Sequence, residues 1–268
     1  VLGWPVAHSR SPQIQNAALE AAGLGDQWRY QLLPVPAELF EELVVALPSL
    51  AFSGVNVTIP HKAAALELAR ERGGQISTRA AAIGAANTLV LHSDGRIDAD
   101  NTDAPGLISE LERHIQLAGA SAVVLGAGGS ARAAVWALLD AGVASVSVWN
   151  RTHERAVALC DELGGEPVRA VPGADVLVNC TSVGLASTDA LGALPLPASG
   201  PAAYRVVADL VYRDGGSPLT LAARAASVPA VDGLELLVAQ GALSFTQFTG
   251  LSAPVAAMRL AVGLSSDR

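Results

Sequence analysis

Two groups of residues in this chain have types and spacings that suit chemistry on anionic ligands. The first is the turn Gly126-Ala127-Gly128-Gly129-Ser130-Ala131, a G-x-G-x-x-A spacing. It follows the apolar run Val123-Val124-Leu125, which reads as a buried parallel strand, and it opens a helical pattern through Ala133, Val135, Trp136, Leu138 and Leu139. Gly142 is the C′ residue of that helix, and Val146-Ser147-Val148-Trp149 supplies the second strand of a β-α-β unit. In such a unit Gly126 permits the tight turn, Gly128 lets backbone approach a pyrophosphate, and Ala131 keeps helix close to strand. The helix N-terminus then presents free N–H groups and a positive dipole end to the phosphates. A glycine turn alone is also a common structural device, so the strand before it and the helix after it carry the argument.

The end of the second strand selects the dinucleotide. An NAD site asks for Asp or Glu there, to accept from the ribose 2′-hydroxyl. This chain has Asn150-Arg151-Thr152, with Arg155 one helical turn further on. Two guanidinium groups and a hydroxyl suit a 2′-phosphate through forked, charge-assisted hydrogen bonds. The alternative is a solvated basic helix start; its place in a β-α-β unit favours NADP.

The second group lies near the N-terminus. In Gly3-Trp4-Pro5-Val6-Ala7-His8-Ser9-Arg10-Ser11-Pro12, Ser11 reads as an N-cap with Pro12 at the first position of a helix running to about residue 22. Capping and loop chemistry is the simpler reading of Ser9 and Ser11. The other is a pair of hydroxyl donors beyond a strand end, able to hold a carboxylate. Further on, Gly54-Val55-Asn56-Val57-Thr58-Ile59-Pro60-His61-Lys62 runs from strand through a proline turn into a helix, placing Asn56, Thr58 and Lys62 near a strand C-terminus, where open α/β sheets bind ligands. Lys62 on a helix's first turn opposes the dipole, which hints at a use beyond solvation.

The elements that must position these groups are legible in outline. A strand over 30–35 and an amphipathic helix over 37–47, with Leu39, Phe40, Leu43, Val44 and Leu47 on one face, precede the Asn56 strand. A helix from Thr78 leads to Gly84, then a strand, the Asp94-Gly95 hairpin turn and a return strand ending at Asp98-Ala99-Asp100-Asn101-Thr102-Asp103, followed by a helix over 104–117. Asp98, Asp100 and Asp103 lack the glycine and terminal Glu of a calcium loop, so no metal is expected. After the glycine-turn unit come a helix over 152–163 and a strand over 174–180, ending in the small-residue loop Thr181-Ser182-Val183-Gly184, where a nicotinamide ring could lie. The Pro- and Gly-rich stretch 185–203 reads as irregular; a strand over 206–212, a helix from Pro218 and two apolar helices over 234–248 and 253–264 follow.

Composition narrows the field. The chain has 268 residues, 51% hydrophobic and 16% charged, enough for one large or two moderate globular domains. A net charge of −8 argues against a nucleic-acid partner, and makes the few basic residues more informative. Cys160 and Cys180 show no metal-ligand spacing or disulfide framework and read as small buried side chains. With no signal peptide or membrane span in the pattern, a reducing cytoplasm is the expectation.

The segments AHSRSP, GVNVTIPHK, GAANTL, NTD, VLGAGGSARA, NRTHERA, NCTSVG, ADLVY and DGLELLVAQGA, in this order, resemble the shikimate dehydrogenase family over nearly the whole chain. The resemblance implies that Ser9 and Ser11 hold a substrate carboxylate, that Lys62 and Asp103 form the catalytic pair, and that Thr58, Asn87, Tyr212 and Gln240 contact substrate hydroxyls and carbonyl. It implies NADP contacts from Gly126, Ala127, Gly128, Gly129 and Ser130 and from Asn150, Arg151, Thr152 and Arg155, with Thr181, Ser182, Val211 and Gly233 on the nicotinamide side. The implied reaction is the reversible NADPH-dependent reduction of 3-dehydroshikimate to shikimate.

Four positions depart from the family pattern: Gln15 for a frequent His, Thr78 for an acid, Leu185 for Met and Phe248 for Trp. None belongs to the catalytic pair, so they bear on affinity and fine specificity. The rivals are a quinate/shikimate dehydrogenase, an aminoshikimate-pathway enzyme, and a non-catalytic sensor of NADP or shikimate. The serine pair and Arg151 weigh against the first, and retained Lys62, Asp103 and Asn87 against the last. The expected architecture is two α/β domains: a substrate domain over 1–103 and 235–268, and a Rossmann NADP domain over 104–234, acting as monomer or homodimer.

Overall fold

The computed structural model describes residues 1–185 and 191–266. The chain divides into two compact units, residues 1–102 with 237–268 and residues 103–236.

In the first unit, β1 (Leu2–Gly3) is followed by α1 (Ser11–Ala21), β2 (Leu33–Pro34), α2 (Phe40–Ala46), β3 (Gly54–Asn56), α3 (Lys62–Glu71), α4 (Thr78–Ile83), β4 (Thr88–Leu91) and β5 (Ile97–Asp100). Parallel β1 and β2 form one small sheet, and antiparallel β3-β4-β5 another, the β4–β5 connection turning at Gly95 with φ +88°. A parallel bridge from Leu2 to Val57 ties the two sheets together. Their shared core holds Leu2, Phe40, Val44, Val55, Leu66 and Leu89.

The second unit begins with α5 (Asp103–Leu111), then β6 (Ser121–Leu125), α6 (Gly129–Asp140), β7 (Ser145–Trp149), α7 (His153–Leu163), β8 (Glu166–Pro167), β9 (Val176–Asn179), β10 (Val206–Asp209), α8 (Pro218–Ala225) and β11 (Ala230–Val231). All six strands are parallel, in the order β11-β10-β9-β6-β7-β8. This is the doubly wound dinucleotide-binding order, reversing between β6 and β9. Val124, Val178 and Ala208 face a core shared with α5, α6 and α7; Val123, Leu177 and Val207 face one shared with α8. Burial on both faces explains why these strands read as continuous apolar runs rather than alternating ones. The chain continues through α9 (Gly233–Thr249), within which the division between units falls, to α10 (Val255–Ala261), which packs on α1.

Several sequence expectations need correction. The strand expected over 30–35 is only Leu33–Pro34, because the first unit's chain pairs with β1 over just two residues. The helix expected over 37–47 is a 3₁₀ turn (Ala37–Leu39), α2 and a second 3₁₀ turn (Leu47–Leu50), and Leu39 is 49% exposed rather than on the buried face. Ser11 is not an N-cap: it is the first residue of α1, with Arg10 at the cap position. The helix expected over 104–117 starts at Asp103 and stops at Leu111. It packs on α6, which puts Asp103 in the second unit, together with residues 235 and 236. The irregular stretch 185–203 contains two 3₁₀ turns, Leu191–Ala193 and Gly200–Ala203, with residues 186–190 lying outside the described residues.

Candidate active site

In the first unit hydrogen bonds join some of the sequence-predicted groups, Asn87 to Gln240 and Ser9 to Ser11. Asn87, 3% exposed at the start of β4, is the hub. Its Oδ1 accepts from the Thr102 N–H at 2.7 Å and the Thr88 hydroxyl at 3.0 Å, while its Nδ2 donates to Thr102 Oγ1 at 3.0 Å and Gln240 Oε1 at 3.5 Å. These bonds hold the amide in one orientation.

Lys62 opens α3 and is 8% exposed. Its backbone carbonyl accepts from the Ala86 N–H at 2.8 Å, so the lysine is anchored one residue from Asn87. His61 immediately before it is buried, stacked on Phe40 with ring centroids 4.7 Å apart, its Nε2 2.8 Å from the Val35 carbonyl. The α3 start is thus held in place on both sides of the lysine. Thr58 is half-buried, its N–H donating to the Leu2 carbonyl at the end of β1. Asp103 follows directly on Thr102 and is the first residue of α5.

Ser9 and Ser11 are brought together: the Ser9 hydroxyl donates to Ser11 Oγ at 3.1 Å, and Ser9 Oγ accepts from the Ser11 N–H. One turn along α1, buried Gln15 donates to the Gly241 carbonyl at 2.9 Å and to Ser244 Oγ at 3.3 Å. That bond ties the serine helix to the α9 turn carrying Gln240. Ser244 in turn donates to Asn56 Oδ1, which also accepts from Tyr30 Oη at 2.6 Å. Burial pushes the Tyr30 hydroxyl well above its ordinary range, keeping it a donor to Asn56.

Tyr30, Gln15, Ser244 and Thr102 have no role in the sequence reading, although the Gln15 departure and the NTD segment marked two of their neighbourhoods. The clustered acids are used locally. Asp98 accepts from the Gln75 N–H and pairs with His92, and Asp100 pairs with Arg79 and accepts from Ser77 and Gln247. Burial works against the Asp100 charge, but Arg79 and Ser77 outweigh it and hold that carboxyl below its usual range.

In the second unit, Gly126 follows β6 with φ +113°, and a Cβ there would sit 3.2 Å from the Cys180 carbonyl, so the turn requires glycine. A Cβ on Gly128 would meet nothing within 4 Å. Gly128 is extended, stands at the N-cap of α6 and offers no side-chain cap, so the positive end of the helix dipole faces the turn. Ala131 is fully buried against the sheet. Leu125 pairs with Trp149 in register, so Asn150, Arg151 and Thr152 emerge beside the glycine turn. Asn150 Nδ2 holds that bend by donating to the Thr152 carbonyl at 2.8 Å, and Arg151 and Arg155 are exposed. An open turn, a helix N-terminus without a side-chain cap and two accessible guanidinium groups fit a dinucleotide carrying a 2′-phosphate. Tyr212 lies half-buried beyond β10, past Val211.

The loops after β9, β10 and β11 rest on buried polar residues. Asn179 Oδ1 accepts from the Thr181 N–H at 3.1 Å and its hydroxyl at 2.7 Å. Asp209 accepts from Asn179 Nδ2 at 2.8 Å, the Val211 N–H at 3.0 Å and the Ser217 hydroxyl at 2.6 Å. Burial pushes the Asp209 carboxyl up to about 6, against those three hydrogen bonds and with some help from Asp232. Burial raises Asp232 too, with Arg224 at 3.7 Å and neighbouring Glu235 the other charged groups facing it.

The folded Asp209 therefore binds its proton more tightly than an unfolded carboxyl near 3.9. Its contribution to stability is greatest below about pH 4 and is lost as pH rises through about 6, beyond which ionisation costs on the order of 3 kcal/mol. Asp209→Asn keeps an Oδ1 acceptor but cannot titrate. Urea midpoints at pH 5 and 7.5 will fall further with rising pH for the parent than for the variant. Equal shifts would mean that Asp209 is already ionised at pH 5.

Among the described residues, no helix is long and apolar enough to cross a membrane. Residues 1–89 match the family model for the shikimate dehydrogenase substrate binding domain, 109–190 that for shikimate / quinate 5-dehydrogenase, and 233–262 that for the shikimate 5'-dehydrogenase C-terminal domain. The chain is 44% identical over 282 residues to a shikimate dehydrogenase (NADP(+)) of Anaeromyxobacter dehalogenans strain 2CP-1, covering 98% of this chain and 94% of that protein. It is 41% identical over 262 residues to that of Paracoccus denitrificans strain Pd 1222, covering 93% and 89%. A solved structure of shikimate 5-dehydrogenase from Thermus thermophilus, in complex with NADP(H) and shikimate, superposes with a TM-score of 0.83 at 39% identity, covering 97% of this chain and 96% of the other.

Proposed function

Because this chain belongs to the shikimate dehydrogenase family, we propose that it interconverts 3-dehydroshikimate and shikimate with NADPH and NADP⁺, using Lys62 and Asp103 as its acid–base pair. The observation that carries the reading is Lys62 itself. A lysine 8% exposed on the first turn of a helix gives up hydration and stands against the helix dipole.

NADPH, when bound over the glycine turn, supplies the hydride. The work of the protein is to bind the ring, fix its orientation and manage a proton. The Ser9 and Ser11 hydroxyls donate to the substrate carboxylate, a choice that needs no counter-charge in an acidic chain. Lys62 Nζ donates a proton to the ketone oxygen as charge builds there, and in the oxidation direction accepts it from the hydroxyl. Asp103 orients the ammonium and shares the proton relay. Thr58, Asn87, Tyr212 and Gln240 contact the remaining hydroxyls and carbonyl. A site built to satisfy such groups rejects ligands that leave its donors unpaired. The cytoplasm, where a biosynthetic enzyme meets diffusible intermediates, completes the reading.

Initial rates of cofactor reduction test it. We expect a strong rate with shikimate and NADP⁺, and much weaker rates with quinate or with NAD⁺. Comparable rates with quinate would point to the broader-specificity relatives. NADP⁺ binding without turnover on either substrate would overturn the assignment.

A further inference from the structure

Asn179 and Asp209 stand side by side at the C-terminal ends of β9 and β10, in register, with exposures of 0% and 1%. Their strands are otherwise apolar, so two adjacent polar side chains break the local pattern. Apart from the bond that joins them, their side-chain bonds lead outward into the loops beyond the strands. Through Oδ1, Asn179 takes both donors of Thr181, whose hydroxyl then accepts from the Val183 N–H at 3.2 Å. Through its own Oδ1, Asp209 takes Asn179 Nδ2 and the Val211 N–H together.

The next loop is locked to these two. Arg213 donates to the Gly184 carbonyl at 3.2 Å, joining the loop after β10 to the loop after β9. A Cβ on Gly233 would fall 2.8 Å from the Leu210 carbonyl oxygen and the Val211 carbonyl group, so the start of α9 lies directly on the Val211 backbone. Asp232 and Glu235 fix that start reciprocally: Asp232 Oδ1 accepts from the Leu234 N–H, and Glu235 Oε2 accepts from the Asp232 N–H.

We propose that Asn179 and Asp209 are a positioning pair for the nicotinamide end of the dinucleotide, setting the loops that carry Thr181 and Val211. This rests on the cofactor reading above, in which Thr181, Val211 and Gly233 line the nicotinamide side and Arg151 and Arg155 the 2′-phosphate side. The pair acts through Thr181 and Val211 and does not itself touch the ligand. A hydride must move between atoms held within a few tenths of an ångström of reactive geometry, so a small displacement of either loop reduces the rate strongly.

The test compares two ligands in the full-length enzyme. Adenosine 2′,5′-bisphosphate occupies only the adenosine side; NADP⁺ occupies both. Asp209→Ala removes the acceptor for Asn179 and Val211, and should weaken NADP⁺ binding about 10-fold or lower kcat by a similar factor, with KM for shikimate and the affinity for adenosine 2′,5′-bisphosphate within about twofold of the parent. Asp209→Asn, which keeps the Oδ1 acceptor, should restore both. Should Asp209→Ala fail to fold, Asn179→Ala carries the same comparison, since it removes the acceptor for both donors of Thr181 and leaves the Asp209 bonds to Val211 and Ser217 in place. Equal weakening of both ligands would show a structural role for the unit as a whole, and no change in any of these quantities would remove the pair from the reaction; either result overturns the proposal. A parent protein that binds adenosine 2′,5′-bisphosphate but neither binds nor turns over NADP⁺ would instead overturn the cofactor reading beneath it.

Discussion

Replacing Lys62 by alanine will lower turnover by at least about 10²-fold in both directions, with little change in KM for shikimate. The size follows from the role: a positioned proton donor stabilises charge that exists only as the ketone is reduced, so its loss raises the barrier rather than weakening ground-state binding. The fold should survive. Lys62 is the first residue of α3, alanine is the most favourable helix residue, and the Lys62 backbone carbonyl still accepts from the Ala86 N–H after the substitution. Thermal midpoint, kcat and KM measured together separate the outcomes. A change confined to KM would make Lys62 a binding residue, and near-parental turnover would end its assignment as the acid–base group.

Removing both Arg151 and Arg155 will raise KM for NADP⁺ about 10- to 10²-fold and leave KM for NAD⁺ nearly unchanged, because only the former carries the 2′-phosphate. The two side chains follow β7 beside the glycine turn, on a bend held by Asn150. Both are exposed, so the contribution is screened, and the parent's KM for NADP⁺ will itself rise with ionic strength. The double variant should lose most of that salt dependence. If KM for both cofactors rises equally, the arginines steer anions without reading the phosphate. If neither changes, they are the solvated helix start that the sequence also allowed.

Local order was legible from sequence where it rests on short-range rules. The turn from Gly126 to Ala131 was readable because a strand, a tight turn and a helix start impose their requirements within about a dozen neighbouring residues. The apolar runs of β6, β9 and β10 were readable because both sheet faces are buried. Element ends were less so: α5 ends at Leu111 although the apolar pattern runs on through Ile115 and Leu117, which are buried in the same core from outside the helix. Periodicity reports burial, and burial does not stop where a helix does.

The chemistry-bearing residue types, from Ser9 and Lys62 to Arg151, were present in the sequence because a hydroxyl, an amine or a guanidinium announces what it can donate. Which of them meet was decided by tertiary structure. Gln15 reaches Gly241 across 226 residues, Asn87 reaches Gln240 across 153, and Tyr30 and Ser244, from a loop and from α9, both donate to Asn56 Oδ1 on β3. Asp209 lies within the strand expected over 206–212 and had no reading of its own; its neighbours in the fold are Asn179, Val211 and Ser217. A sequence states each group's hydrogen-bonding capacity, but a buried group's partner depends on which strands lie side by side, and the fold settles that through the burial of apolar surface elsewhere in the chain.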